Sequence, residues 1–153
     1  MPADGYQLNR ALTYRLHRLH KLIDLESQRS YPEATGLSLS DGRCLGAIGA
    51  FAPLSINDLA NRANLNKGQA SRAAQALVDR GLVSKTVTAN DARGVTLTLT
   101  ASGKKVWLKT IAMIDRRNKE VFGVLSANES EQFSRLLDKL IQQTEQGLQP
   151  EDE

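Results

Sequence analysis

The sequence predicts a mainly α fold of the α+β kind, helical along most of its length with one two-stranded β-hairpin set among the helices. Three observations predict it. Apolar residues recur at the i, i+3, i+4, i+7 spacing of a helix with one buried face in six stretches. Alternating β-branched residues occur in two short neighbouring stretches, Leu82 to Thr88 and Val95 to Thr100. Five of the helical stretches open on a residue suited to capping: Ser38, Ser55, Asn66, Thr100 and Ser126.

The 153 residues suit one domain, 1–153, with 41% hydrophobic and 24% charged side chains, as in an ordinary globular chain. No apolar run approaches the roughly 18 residues of a membrane span, and the start lacks a basic region followed by an apolar block. A single cysteine, Cys44, excludes an internal disulfide framework and suits a reducing compartment, so a cytoplasmic location is expected, with no membrane partner. The net charge of +3 is unevenly spread. From Ser55 to Lys104 seven cations stand against three anions, whereas from Val124 onward two cations stand against seven anions. A basic centre with an acidic tail points to one nucleic-acid face. With two histidines, one cysteine, no G-x-S-x-G and no phosphate loop, no catalytic residue, cofactor or metal site is expected.

Taken in order, Leu8 to about Arg29 reads as a long helix striped by Leu8, Leu12, Leu16, Leu19, Leu22 and Ile23, broken at Tyr31-Pro32 and Thr35-Gly36. Ser38 and Asp41 form a capping-box-like start to a helix whose buried face is Leu45, Ile48 and Phe51. Gly42, Gly46 and Gly49 weaken that helix by up to about 1 kcal/mol each and imply close packing or open space beside it. Ser55 and Asp58 open a short helix with Leu59, Ala60 and Ala63 inside, and Asn64 suits the sharp left-handed turn that follows. The next helix runs from Asn66 to the glycine stop at Gly81, with Ala70, Ala73, Ala74, Leu77 and Val78 on its buried face. Its other face offers Lys67, Gln69, Ser71, Arg72 and Gln75, with no acid until Asp79.

Two short helices joined by a tight turn form a helix-turn-helix. The hairpin after it, with Asp91-Ala92-Arg93 near its tip, completes a winged helix. Double-stranded DNA is therefore the expected partner. Arg72, Gln69, Ser71 and Gln75 would reach base edges in the major groove, arginine toward guanine and glutamine toward adenine. Lys67 and the helix start beside Gly68 would hold phosphate. Arg93 would enter the minor groove. Ser38, Ser55 and Asp91 complete the candidate DNA-contacting set. Thr100 then caps a helix to Phe122, with Val106, Trp107, Ile111, Ile114, Val121 and Phe122 apolar. Ser126 with Glu129 opens the last helix, striped by Phe133, Leu136, Leu137, Leu140 and Ile141, before a frayed acidic tail at 148–153.

In this order and spacing the chain resembles the MarR family of winged-helix regulators. Asp91-Ala92-Arg93 leading into Thr100-Ala101-Ser102-Gly103 is similar to the family's D-x-R wing and L-T-x-x-G. Leu77 with Gly81-Leu82-Val83 is similar to its L-x-x-x-G-L-V helix end, and Leu59-Ala60 and Lys67 through Arg72 match helix-turn-helix positions. The resemblance implies a winged helix-turn-helix at 37–100 and dimerisation helices at 6–31 and 101–147. It further implies a homodimeric repressor released from a pseudo-palindromic operator by a small effector: an aromatic carboxylate, a phenol or a thioester. By family analogy Asp91 orients a nearby arginine. Three positions depart from the pattern. Gly42 replaces a bulky aromatic, and Gly68 and Ala70 replace the usual serine or threonine and valine.

Tyr14, His17 and Arg18 with Gly42 and Arg43 could line an effector pocket, the alternative being surface arginines and a half-buried tyrosine at a dimer interface. Cys44 raises a redox-sensing alternative, against which stands a small buried thiol. A winged helix used only for protein contacts is the remaining alternative.

Overall fold

The computed structural model describes residues 5–87 and 94–148. The wing-tip candidates Asp91 and Arg93 and the tail from 149 onward lie outside the described residues. The chain divides into two compact units, Met1–Asp115 and Arg116–Glu153.

The first unit opens with a 3-10 turn at Leu8–Arg10, and then α1 runs over Leu12–Thr35. The expected break at Tyr31-Pro32 does not occur, because the helix passes through Pro32 and stops at Gly36. Gly36 takes the left-handed conformation (φ 73°) and its N–H closes on the Pro32 carbonyl. Proline removes one helical hydrogen bond. Burial of Ser27 and Tyr31 on the same face, and of Leu37 just beyond, opposes that loss. Thr35 Oγ1 adds a bond to the Tyr31 carbonyl at 2.6 Å.

Helix α2 (Leu39–Phe51), α3 (Ile56–Ala63) and α4 (Lys67–Asp79) pack about one core. The caps form as their chemistry requires. Ser38 accepts from the Asp41 N–H at 3.2 Å, and Ser55 accepts from the Asp58 N–H at 3.0 Å. Asn64 sits at φ 56°, ψ 42°, the left-handed turn that lets α4 double back on α3. Leu45, Ile48, Leu59, Ala70 and Leu77 are fully enclosed. Phe51 is not: expected inside, it is 47% exposed, because the end of α2 projects past the core and its ring instead carries Arg62.

The α2 glycines divide into two kinds. A side chain at Gly42 would collide with the Tyr31 ring, and one at Gly49 with the Trp107 indole. The bulky residue absent from Gly42 is thus replaced from α1, and close helix contact accounts for the departure. Gly46 faces more open space, the nearest atoms being 3.9 Å from a hypothetical Cβ, and its carbonyl accepts from Trp107 Nε1 at 3.2 Å.

Strands β1 (Val83–Val87) and β2 (Val95–Leu99) form the antiparallel hairpin, in register from Val83↔Leu99 to Val87↔Val95. Leu54 adds a single bridge to Leu97, a contact without signal in the alternation of the sequence. Thr100 donates to the Gly81 carbonyl at 2.7 Å and accepts from the Gly103 N–H at 2.9 Å, joining the hairpin to α5 (Ala101–Phe122). On α5 the buried residues are Gly103, Thr110 and Met113, while Ile111, expected inside, is 37% exposed. Thr110 satisfies its hydroxyl on the Val106 carbonyl at 2.9 Å, so it can occupy a core position.

The second unit is the end of α5 and α6 (Ala127–Leu148). Phe122 and Phe133 meet with ring centroids 5.8 Å apart. No residue of α6 is buried, although its apolar stripe follows helical spacing. Among the described residues no helix is long and apolar enough to cross a membrane.

Candidate nucleic-acid interface

Helix α4 is fastened by its alanines. Ala70, Ala73 and Ala74 are at most 4% exposed and bring the helix backbone close to α2 and α3, so its opposite face stands clear. That face carries Lys67, Gly68, Gln69, Ser71, Arg72 and Gln75, all exposed. The helix has no acid in its first turn, unlike α2 with Asp41 and α3 with Asp58, so the positive end of its dipole is left without a countercharge on the helix itself. Its far end is held by Arg80, which donates to the Gly36 carbonyl at 3.2 Å.

The polar side chains of this face are not equally available. Gln69 completes a capping box: its N–H donates to Asn66 Oδ1 at 2.8 Å, and its Oε1 accepts from the Asn66 N–H at 3.1 Å. With that oxygen engaged, Gln69 offers a donor but not the donor–acceptor pair that reads adenine. Gln75 donates to Asp79 Oδ1 at 2.8 Å and accepts from Lys85 Nζ at 3.4 Å, so both ends of its amide are used. Ser71 and Arg72 make no side-chain hydrogen bond among the described residues. Arg72 Nη1 lies 3.3 Å from where a Cβ on Gly68 would stand, so the glycine gives the guanidinium room over the helix start. Ser38 and Ser55 cap their helices as acceptors, which leaves each hydroxyl proton for an outside partner.

The effector candidates separate. Tyr14, His17 and Arg18, with Lys21, line a shallow exposed depression on α1. Arg43 lines a different cleft of about 340 Å³ with His20, Tyr31, Phe51, Arg62 and Asn64. The correction is one of helical register. Positions 14, 17, 18 and 21 share one face of α1, whereas His20, Asp24, Ser27 and Tyr31 share the face turned to α2. The signal was present in the sequence as an i, i+4, i+7, i+11 series, but it is mostly polar and shows no apolar stripe. Gly42 is covered by Tyr31.

In the cleft Arg43 Nη2 pairs with Asp24 Oδ1 at 2.6 Å, and Asp24 Oδ2 faces His20 Nε2 at 3.3 Å. Burial raises the Tyr31 phenol above its ordinary value, while the neighbouring Arg43 guanidinium acts to lower it and Asp24 adds to the rise. The apolar wall includes Ala47, Ile111 and Ile114. Cys44 is fully enclosed, and burial, then the Asp41 charge, pushes its thiol up to about 12. A thiol so placed is protonated at neutral pH and lacks the thiolate that peroxide sensing requires, which weighs against the redox alternative. Among the described residues no cluster of metal-binding side chains occurs.

Residues 35–94 match the MarR family, the span from the last residue of α1 to just before β2. The chain is 26% identical over 129 residues to the HTH-type transcriptional repressor Rv2887 of Mycobacterium tuberculosis, covering 84% of this chain and 92% of the relative. The solved structure of Rv2887 in complex with salicylic acid superposes with a TM-score of 0.69, covering 85% of this chain and 96% of that one. A MarR/EmrR family regulator from Acinetobacter sp. ADP1 shares the fold with a TM-score of 0.82 at 20% identity, covering 92% of this chain and 99% of that one. The helix-turn-helix and β1 lie inside the matched segment, and over residues 35–94 the chain is similar to the MarR family.

Proposed function

We propose that the protein is a homodimeric repressor that binds a pseudo-palindromic DNA operator and leaves it when a small aromatic acid occupies the cleft beside α3. The observation that carries the DNA reading is the one-sided build of α4: a buried row of alanines, an exposed row of cations, hydroxyls and amides, and an uncancelled helix start. Arg72 and Ser71 read base edges, Lys67 and the α4 N-terminus hold phosphate, and Arg93 extends into the minor groove. Gln69 orders the helix start as much as it reads.

The dimer is supported by two apolar faces that a single chain leaves in water. On α1, Leu12, Leu16, Leu19 and Leu22 are exposed, and on α6, Leu136, Leu140 and Ile141 are exposed. Stripes of that length belong against another protein surface, and the 6–31 and 101–147 segments are assigned to dimerisation on this basis. Effector control is supported by the cleft and by the salicylic acid bound to Rv2887.

The test is fluorescence anisotropy on the protein's own upstream DNA, with footprinting. Two protected half-sites about one helical turn apart are expected, with Arg72→Ala costing about 1–3 kcal/mol and relaxing preference at one base pair. Absence of sequence-specific binding at low salt would leave the protein-interaction reading in its place.

A further inference from the structure

The cleft has two arginines, and they are not equivalent. Arg43 is already neutralised by Asp24 at 2.6 Å, with His20 on the other carboxylate oxygen and Tyr31 alongside. An anion arriving at Arg43 would have to displace Asp24 or share the arginine with it, and would meet its negative charge. Arg62 is differently placed. Its guanidinium carbon stands 4.4 Å from the centre of the Phe51 ring, a stacking contact that satisfies one face and none of its N–H donors. It pairs with no carboxylate among the described residues, Asp58 one turn earlier on α3 included. With Asp24 and Arg43 cancelling, Arg62 gives the cleft its net positive charge.

We propose that Arg62 is the anion-receiving residue of the cleft, taking the carboxylate of a single-ring aromatic acid in a bidentate pair. This rests on reading the cleft as the effector site. The size fits, since about 340 Å³ lies near the lower end for small-molecule sites and suits one ring. The chemistry fits because a planar guanidinium matches a carboxylate with two parallel hydrogen bonds, while Ala47, Ile111 and Ile114 receive the ring.

The position also supplies the coupling. Arg62 lies in the last turn of α3, and Asn64, the left-handed pivot of the helix-turn-helix, lines the same cleft. Asn66, which caps α4, follows two residues later. An anion held by Arg62 therefore pulls on the segment that sets how α4 leaves α3. The effector's charge acts on the reading helix through four residues of chain.

The experiment is calorimetric titration of the full-length dimer with salicylate and with salicylamide, its neutral counterpart. Wild-type protein should prefer salicylate by about 10- to 100-fold. Arg62→Gln should bring that ratio close to one with salicylamide affinity unchanged, and Arg62→Lys should retain part of the preference. Thermal melts of both variants check folding, and the lysine variant keeps the test decisive if glutamine unfolds the chain. Arg62→Gln should also hold its operator when salicylate releases the wild type. A full wild-type preference in Arg62→Gln overturns the assignment and moves the anion to Arg43. Equal wild-type affinity for the two compounds overturns it while leaving the cleft as a site for neutral rings. Wild-type protein that binds neither overturns both this assignment and the effector reading.

Discussion

Helices α4 and α6 open with the same device and carry apolar stripes of similar regularity, yet the stripes meet different surroundings. Asn66 and Gln69 exchange hydrogen bonds at the start of α4, as Ser126 and Glu129 do at the start of α6. The α4 stripe is enclosed by α2 and α3, whereas α6 has no buried residue and leaves Leu140 57% exposed. Periodicity announces that a face needs covering and is silent on what covers it. A stripe of alanine and leucine on α4 finds its cover inside the chain; a stripe of leucine, isoleucine and phenylalanine on the last helix is left without burial.

The strongest way to break this contrast is to charge the α6 face. Leu136→Lys with Leu140→Lys removes four exposed leucines from a dimer, each worth about 1.5 kcal/mol when covered, or roughly 6 kcal/mol in all. Sedimentation equilibrium should show monomer at concentrations where the wild type is dimeric, with operator affinity lost alongside. If the double variant remains dimeric, α6 is a solvated helix and its stripe has no partner.

Packing slack gives the next contrast. Gly49→Ala places a methyl where the Trp107 indole lies and should destabilise by about 1–3 kcal/mol. Gly147→Ala on α6 meets nothing within 4 Å and should cost nothing, gaining up to about 1 kcal/mol from helix propensity. Denaturant melts of the two variants measure the difference directly. Equal shifts would mean that the space around α2 relaxes as freely as solvent.

The caps, the Asn64 pivot and the hairpin were legible because each is local chemistry: an oxygen three residues before an N–H, or an asparagine where the backbone turns left-handed. What escaped depended on partners distant in sequence. Tyr31 fills the place of the side chain missing at Gly42, so α1 continues through Pro32 instead of ending there. Phe51 looked like core and is a platform for Arg62. The cleft escaped for the same reason: Arg62 and Asn64 belong to α3 and its turn, and nothing in their spacing tells that they meet His20 and Arg43. The polar face of α4 was legible as a face, but the engagement of Gln69 and Gln75 with their own neighbours was not.

A smaller effect concerns the wing. Arg93→Ala should leave the dimer folded and lower the slope of log affinity against log salt by about one unit, one fewer phosphate-neutralising cation. A slope unchanged across the titration would confine DNA contact to α4 and set the two helices in still sharper contrast.

The smallest effect separates the two capping boxes by their chemistry. The α4 box is built from two amides and has no proton to gain. The α6 box uses a carboxylate, and the Ser126 N–H, then the Ser126 hydroxyl, hold Glu129 below its ordinary value of 4.5. A carboxylate with a depressed value in the folded chain contributes stability above the unfolded value, and that contribution disappears as pH falls through the folded value. Acid below about pH 4.5 should therefore loosen the start of α6 and leave the Asn66–Gln69 box intact. Hydrogen exchange at the first amides of each helix, followed from pH 6 to pH 3 after correction for the intrinsic rate, reads both ends at once. Glu129→Gln keeps the reciprocal geometry with an amide and should abolish the difference. If α6 opens with the same pH dependence in that variant, the acid sensitivity belongs to the surface that covers α6 and not to its cap.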